Sequence, residues 1–241
     1  MTASTGWFAA FPIKPATEAV EALRQGWIEL AKRPRDDFNP KTEEVKLTKR
    51  LKIYVENYIA RERGLLGIWA AEDIIGEIDP ITGSLIEERR TDIVYGWNDS
   101  VQNMKLVFEF KRLGRQKKYR DHYFAQDKGL GRFVTGIYSR KQAIAAMVGV
   151  LLDPESEVVP PIRAALGDAI LATALRLRNS PTGAPYTRPS IFFHADFDTE
   201  HERDVALAPV HGTICVSHFF FAFGYPTSTL KSKNTTSVTK T

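Results

Sequence analysis

Apolar residues recur at helical spacing over residues 17–32, where Val20, Leu23, Trp27 and Leu30 share one face, Thr17 stands as a cap and Pro34 lies just beyond. This pattern predicts an amphipathic helix. After the polar, proline-containing connection RPRDDFNPKT, a second stripe of Val45, Leu47, Leu51, Val55, Tyr58 and Ile59 predicts another helix from Glu43 to Arg61, opened by two acids. The pattern then shortens. GIWAAEDIIGEI (67–78) reads as extended, DPITG (79–83) as a turn, RRTDIVYGW (89–97) as a strand, WNDS as a turn and KLVFEFKRL (105–113) as a returning strand. The last two are close enough in sequence to pair as an antiparallel hairpin.

Beyond residue 138, YSRKQ matches a capping box that would open a short helix over QAIAAM and lead into a buried strand, MVGVLL. PPIRAALGDAILATALRLR (160–178) predicts a helix with proline at its start, arginine at its end, and Ile162, Leu166, Ile170 and Leu177 facing inward. SIFFHADF and GTICVSHFFFAF are two further strand candidates. The sum is an α/β fold, a mixed sheet with helices on its faces. No internal repeat argues for a solenoid or propeller.

The chain has 241 residues, 43% of them hydrophobic, enough to fill a core. With 33 Lys and Arg against 29 Asp and Glu, the balance of +4 is too mild to imply a nucleic-acid partner unless the cations cluster. Cys215 is the only cysteine, which excludes an internal disulfide framework and a cysteine-ligated zinc site and points to core packing in a reducing compartment. The start carries Trp7, Phe8 and Phe11 but no basic leader pattern and is broken by Pro12 and Pro15, so a cytoplasmic protein without a membrane partner is expected. The Ser/Thr/Lys-rich end, 227–241, is expected to be a flexible tail. A helical segment over 1–38 and a main domain over 39–226 complete the expected organisation.

The chemistry is concentrated in KLVFEFKRL. Leu106, Phe108 and Phe110 point to one side of the strand, and Glu109 and Lys111 to the other. The plain reading is a solvated face with a diagonal ion pair. The sharper one joins Asp92 on the preceding strand, 17 positions before Glu109, into a carboxylate pair able to hold a hard divalent cation, with Lys111 beside it to orient an attacking water.

RRTD at 89–92 followed by Glu109-Phe110-Lys111 resembles the PD-(D/E)XK nuclease superfamily, over about residues 43–150. Thr91 stands where the motif name has proline. The resemblance implies a restriction-endonuclease-like fold, a mixed β-sheet flanked by α-helices, and a Mg²⁺-dependent endonuclease hydrolysing DNA phosphodiesters, with Mn²⁺ as a substitute metal. It implies Asp92 and Glu109 as metal ligands, a helix acid as a third ligand, with Glu44 preferred over Glu43 and Glu56, and Lys111 as a catalytic group. Double-stranded DNA is the expected partner, in restriction or anti-phage defence, with a homodimer or a multi-protein defence complex as the assembly. The alternatives are a non-catalytic nucleic-acid-binding or assembly subunit of the same fold, and a nuclease acting on RNA.

The cations after the strand change the picture set by the mild net charge. KRLGRQKKYR holds Lys111, Arg112, Arg115, Lys117, Lys118 and Arg120, where a polyanion would pass if the carboxylates cut a phosphodiester; otherwise it is a solvated charge run. Arg132, between glycines and aromatics, reads equally as a phosphate contact or as packing. FHADFDTEH offers a competing metal set of His194, Asp196, Asp198 and His201, with His211 and His218 later, against the simpler reading of an edge strand running into solvated acids. No G-X-S-X-G elbow and no G-X-X-X-X-G-K-[ST] loop is present.

Overall fold

The computed structural model describes residues 11–100, 103–139, 142–204, 206 and 212–225. Two helices come first: α1 (Ile13–Ala31), and α2 (Glu44–Tyr54), which runs on through a π-helical turn (Val55–Ile59) and Ala60–Glu62. Then follow β1 (Ile68–Ala71), β2 (Ile74–Ile78), β3 (Leu85–Arg90), β4 (Ile93–Asn98) and β5 (Asn103–Leu113). Next are α3 (Lys117–Phe124), α4 (Gly131–Val134), β6 (Ile144–Leu151), α5 (Glu155–Ala165), α6 (Ala169–Ala174), β7 (Leu177–Arg178), β8 (Phe197–Glu202) and β9 (Thr213–Ala222). The result is a mixed α/β fold around a seven-stranded sheet, ordered β1-β4-β5-β6-β9-β8-β7, with β2 and β3 forming a separate two-stranded ribbon.

The central strands β5, β6 and β9 are parallel to one another, while β4 and β8 flank them antiparallel. Alternation along β5 gives the sheet two buried faces. Leu106, Phe108 and Phe110 join Val148, Phe219 and Phe221 under α1 and α2. Val107 and Leu113 join Met147, Leu151 and Val216 under α3, α4 and α5. Glu109 and Lys111 share this second face. It is covered, not solvated: Glu109 is 1% exposed. Cys215 is buried and packs as expected. The 227–241 tail lies outside the described residues, as do Trp7, Phe8 and His211.

Five predicted elements differ. The 89–97 strand divides: Arg89 and Arg90 end β3 of the ribbon, Thr91 and Asp92 lie in no strand because Thr91 turns to pair with Asp73, and β4 of the main sheet begins at Ile93. The run 67–78 divides at Glu72, whose φ of 52° turns the chain between β1, in the main sheet, and β2, in the ribbon. No helix forms over 142–147; from Ile144 the stretch belongs to β6, buried throughout between two parallel neighbours. Ser139 has φ 54°, a left-handed conformation incompatible with an N-cap, and periodicity alone does not separate a short buried helix from a buried strand. The 160–178 helix is really two. α5 begins earlier, with Glu155 and Glu157 in its first turn and Pro160 and Pro161 inside it, and Gly167-Asp168 ends that run. There Asp168 Oδ1 accepts from the Leu171 amide at 2.9 Å and starts α6, which leaves Ile170 82% exposed instead of inward. Finally, 190–196 is loop, with φ 51° at His194, and the strand begins only at Phe197.

Candidate active site

Asp92 lies between strands. Thr91, which would continue β4 opposite Phe110, turns instead to Asp73, whose carbonyl accepts from the Thr91 amide at 3.1 Å. The Phe110 amide therefore has no backbone partner from β4, and Asp92 Oδ2 accepts from it at 2.7 Å. The carboxylate completes the ladder where the strand has ended.

Three carboxylates converge on the Lys111 ammonium. Nζ stands 2.9 Å from Glu44 Oε1, 2.9 Å from Glu109 Oε1 and 4.0 Å from Asp92 Oδ2, and it also donates to the Phe110 carbonyl. Glu44, in the first turn of α2, uses its second oxygen to accept from the Arg112 amide at 2.9 Å, so it ties the helix start to the end of β5. Glu43 pairs with Lys46 and Glu56 with Lys52. Of the three helix acids, only Glu44 reaches the cluster.

Burial raises the Asp92 carboxyl to about 6, with Lys111 opposing the shift and Glu44 adding to it. Burial, then the neighbouring Asp92 charge, pushes Glu109 up to about 8. For Lys111 burial acts downward, but the carboxylates of Glu109, Asp92 and Glu44 outweigh it and hold the ammonium above its ordinary range. The lysine stays charged while the buried acids favour protons.

Both Glu109 oxygens are buried, and among the described residues they are met by cations and by no neutral donor: the Lys111 ammonium stands 2.9 Å from Oε1 and Arg132 3.6 Å. A carboxylate left this way suits a cation, because a cation needs no donor hydrogen. Among the described residues no group of three or more His, Cys, Asp or Glu has metal-holding spacing. Both oxygens of Glu44 are already engaged, by Lys111 and the Arg112 amide. The residues thus fit an ion that takes one or two carboxylates and keeps several waters, as Mg²⁺ does, with Asp92 and Glu109 as the holders.

Arg132 faces the cluster from the neighbouring segment. Its Nη1 is 3.6 Å from Glu109 Oε1 and donates to the Tyr138 hydroxyl, and its Nε donates to the Asp127 carbonyl at 2.7 Å. Tyr138 in turn donates to the carbonyl of Arg90. Burial and the nearby Glu109 charge keep that phenol protonated. Nothing in the sequence marked Tyr138; its one signal is proximity to Arg132 in GRFVTGIYS.

Most of the basic segment is already paired. Arg112 donates to the Pro40 carbonyl at 2.6 Å, Arg115 meets Glu157 at 2.5 Å and Asp153 at 3.6 Å, and Lys117 meets Asp121 at 3.0 Å. Lys118 lies over the Tyr119 ring, and the half-buried Arg120 lines a cleft of about 810 Å³ between α3 and the α5–α6 pair; neither has a carboxylate partner among the described residues.

The histidine-rich stretch is dispersed. Asp196 lies 3.7 Å from Arg163 and 3.5 Å from Arg188, and buried Asp198 accepts from Ser190, Ser217 and the Ile191 amide. The His194 carbonyl accepts from Arg24, while His201 and His218 are buried in a separate hydrogen-bonded chain. Among the described residues these side chains gather around no metal site.

Among known proteins, no family model, no curated sequence and no solved structure matches this chain. No helix among the described residues is long and apolar enough to cross a membrane.

Proposed function

We propose that the chain is a Mg²⁺-dependent phosphodiesterase with a restriction-endonuclease-like fold, acting on DNA. One observation carries this reading: Asp92, just before β4, and Glu109 and Lys111 on the adjacent β5 meet at one point, with Glu109 buried and faced by cations. A bound divalent ion would supply charge to a phosphate oxygen and acidify a water. Asp92, fixed by the Phe110 amide, and Glu109 would hold it. Lys111 would orient the attacking water or face the developing phosphorane charge, and Glu44 would hold Lys111 in place. Lys118 and Arg120 are the members of the basic segment left to meet a phosphate backbone; Arg112, Arg115 and Lys117 are engaged within the fold. A setting in restriction or anti-phage defence follows from the resemblance alone.

The test is cleavage of duplex DNA by the purified chain in Mg²⁺ or Mn²⁺. Chelator should stop it, and Lys111→Ala should lower the rate at least about a hundredfold, the scale of removing one transition-state electrostatic group. Cleavage that persists in Lys111→Ala or Asp92→Asn defeats the reading. Parallel incubation with single-stranded DNA and RNA decides the substrate.

A second reading has its own support. Lys111 already carries three carboxylate neighbours and no three-ligand metal group is present among the described residues, as a nucleic-acid-binding subunit without turnover would have. Salt-dependent DNA binding with no cleavage in any divalent metal would favour it.

A further inference from the structure

The two carboxylates come from different parts of the chain, and their separation must be set by something outside both. Asp92 follows the ribbon strand β3 by two residues, and Glu109 sits in the middle of β5. The segment 131–139 touches both supports. The Tyr138 hydroxyl donates to the carbonyl of Arg90, two residues before Asp92. The same hydroxyl accepts from Arg132, whose guanidinium stands 3.6 Å from Glu109 Oε1 and lies over the Tyr138 ring, 5.0 Å from its centre.

This segment is itself held firmly. Arg203, at the end of β8, is buried and donates from Nε to the Phe133 carbonyl at 2.8 Å, from Nη2 to the Tyr138 carbonyl at 3.0 Å and from Nη1 to the Ser139 carbonyl at 2.7 Å. A planar guanidinium that spans three carbonyls fixes their relative positions as a lysine would not. The backbone that carries Arg132 and Tyr138 is thus braced from the sheet's far side.

We propose that Arg132 and Tyr138 are positioning residues that set the spacing between Asp92 and Glu109, with Arg203 as the brace behind them. This deepens the preceding reading, in which those carboxylates hold a cation, and rests on it for its functional meaning. Supports of this kind act by orienting the groups that touch the metal, and their loss weakens metal affinity by about 10- to 100-fold.

Tyr138→Phe removes one hydroxyl and Arg132→Lys shortens the fork; both keep the local charge, so any change in cation binding reflects geometry. Two readouts are taken on the full chain: binding of Mn²⁺ alone by calorimetry, and hydrogen exchange at the Phe110 amide, which reports Asp92 through its 2.7 Å bond. In both variants Mn²⁺ affinity should fall at least about tenfold. In Tyr138→Phe, Phe110 should exchange faster while the Val216 amide in β9 keeps its rate. An unchanged Phe110 rate, or a uniform rise at Phe110 and Val216 alike, overturns the proposal, since the hydroxyl would then be idle or merely stabilising. If the wild-type chain binds no Mn²⁺, the cation reading fails by itself, and the amide comparison still decides whether the pair sets the spacing.

Discussion

Two polar clusters are buried against the same face of one sheet, and they are finished differently. Around His218 every group is satisfied. His201 Nδ1 has only the Leu175 carbonyl, at 2.7 Å, so it must donate, and its Nε2 then accepts from Thr199. Thr199 accepts from His218 Nε2 at 2.8 Å, and His218 Nδ1 accepts from the Tyr123 hydroxyl at 2.7 Å. The chain of donors runs in one direction with neutral imidazoles, and burial depresses both histidines, His201 to about 4. Around Glu109 no such run of neutral donors forms: its buried carboxyl faces the charges of Lys111 at 2.9 Å and Arg132 at 3.6 Å, and burial lifts it to about 8. A completed network stabilises a fold; an incomplete one costs stability and is kept where an additional ligand has a use.

The comparison is broken most forcefully at Thr199. Thr199→Val keeps the shape but leaves His201 without a donor and His218 without an acceptor, so urea unfolding should show a loss of about 2–5 kcal/mol, the cost of two orphaned buried groups. A loss within the scatter of surface mutations would mean the network is not closed as drawn.

Acid separates the clusters next. The unfolded chain takes up a proton at His201 near 6.5, while the folded chain refuses it down to about 4, so that stability is full above 6.5 and is lost as pH falls across that window. The shift corresponds to on the order of 3 kcal/mol, with His218 acting in the same direction. Glu109 has the reverse sign: unfolded chains release its proton above 4.5 and the folded chain keeps it to about 8, so stability falls as pH rises between those values. In chelator, denaturation midpoints should therefore decline from pH 6.5 to 8, and a flat profile there would contradict the raised carboxyl.

The smallest effect sharpens the contrast. Glu109→Gln should stabilise the chain by about 1–2 kcal/mol at pH 7, because an amide needs no proton to be buried neutral. It should also remove the decline above pH 6.5 and abolish Mn²⁺ binding. Destabilisation would make Glu109 a structural member of an ion cluster, like the acids that answer Arg115.

Much of this was legible in advance. The two leading helices and the strand KLVFEFKRL follow from periodicity, and the approach of Asp92 to Lys111 from hairpin spacing, both local properties, although Asp92 stands between β3 and β4 and not on a strand. Elements whose nature depends on burial were not. AIAAM is apolar without a diagnostic period and becomes a strand because two parallel neighbours enclose it, and HADFD lost its alternating face because His194 takes a left-handed backbone. Arg132 read equally as a phosphate contact or as packing; its contact with Glu109 spans 23 positions and leaves no local pattern.

The sequence by itself determined which residues can do chemistry and which strands carry them, since side-chain type and alternation are written along the chain. Only the tertiary structure decided what meets each of them. Glu109 and His218 are both polar residues in apolar strands, but packing brings the neutral Tyr123 hydroxyl to His218 Nδ1, whereas Glu109 meets two cations, Lys111 of its own strand at 2.9 Å and Arg132 at 3.6 Å. Tyr123 and Arg132 come from segments distant in sequence, which no local pattern encodes.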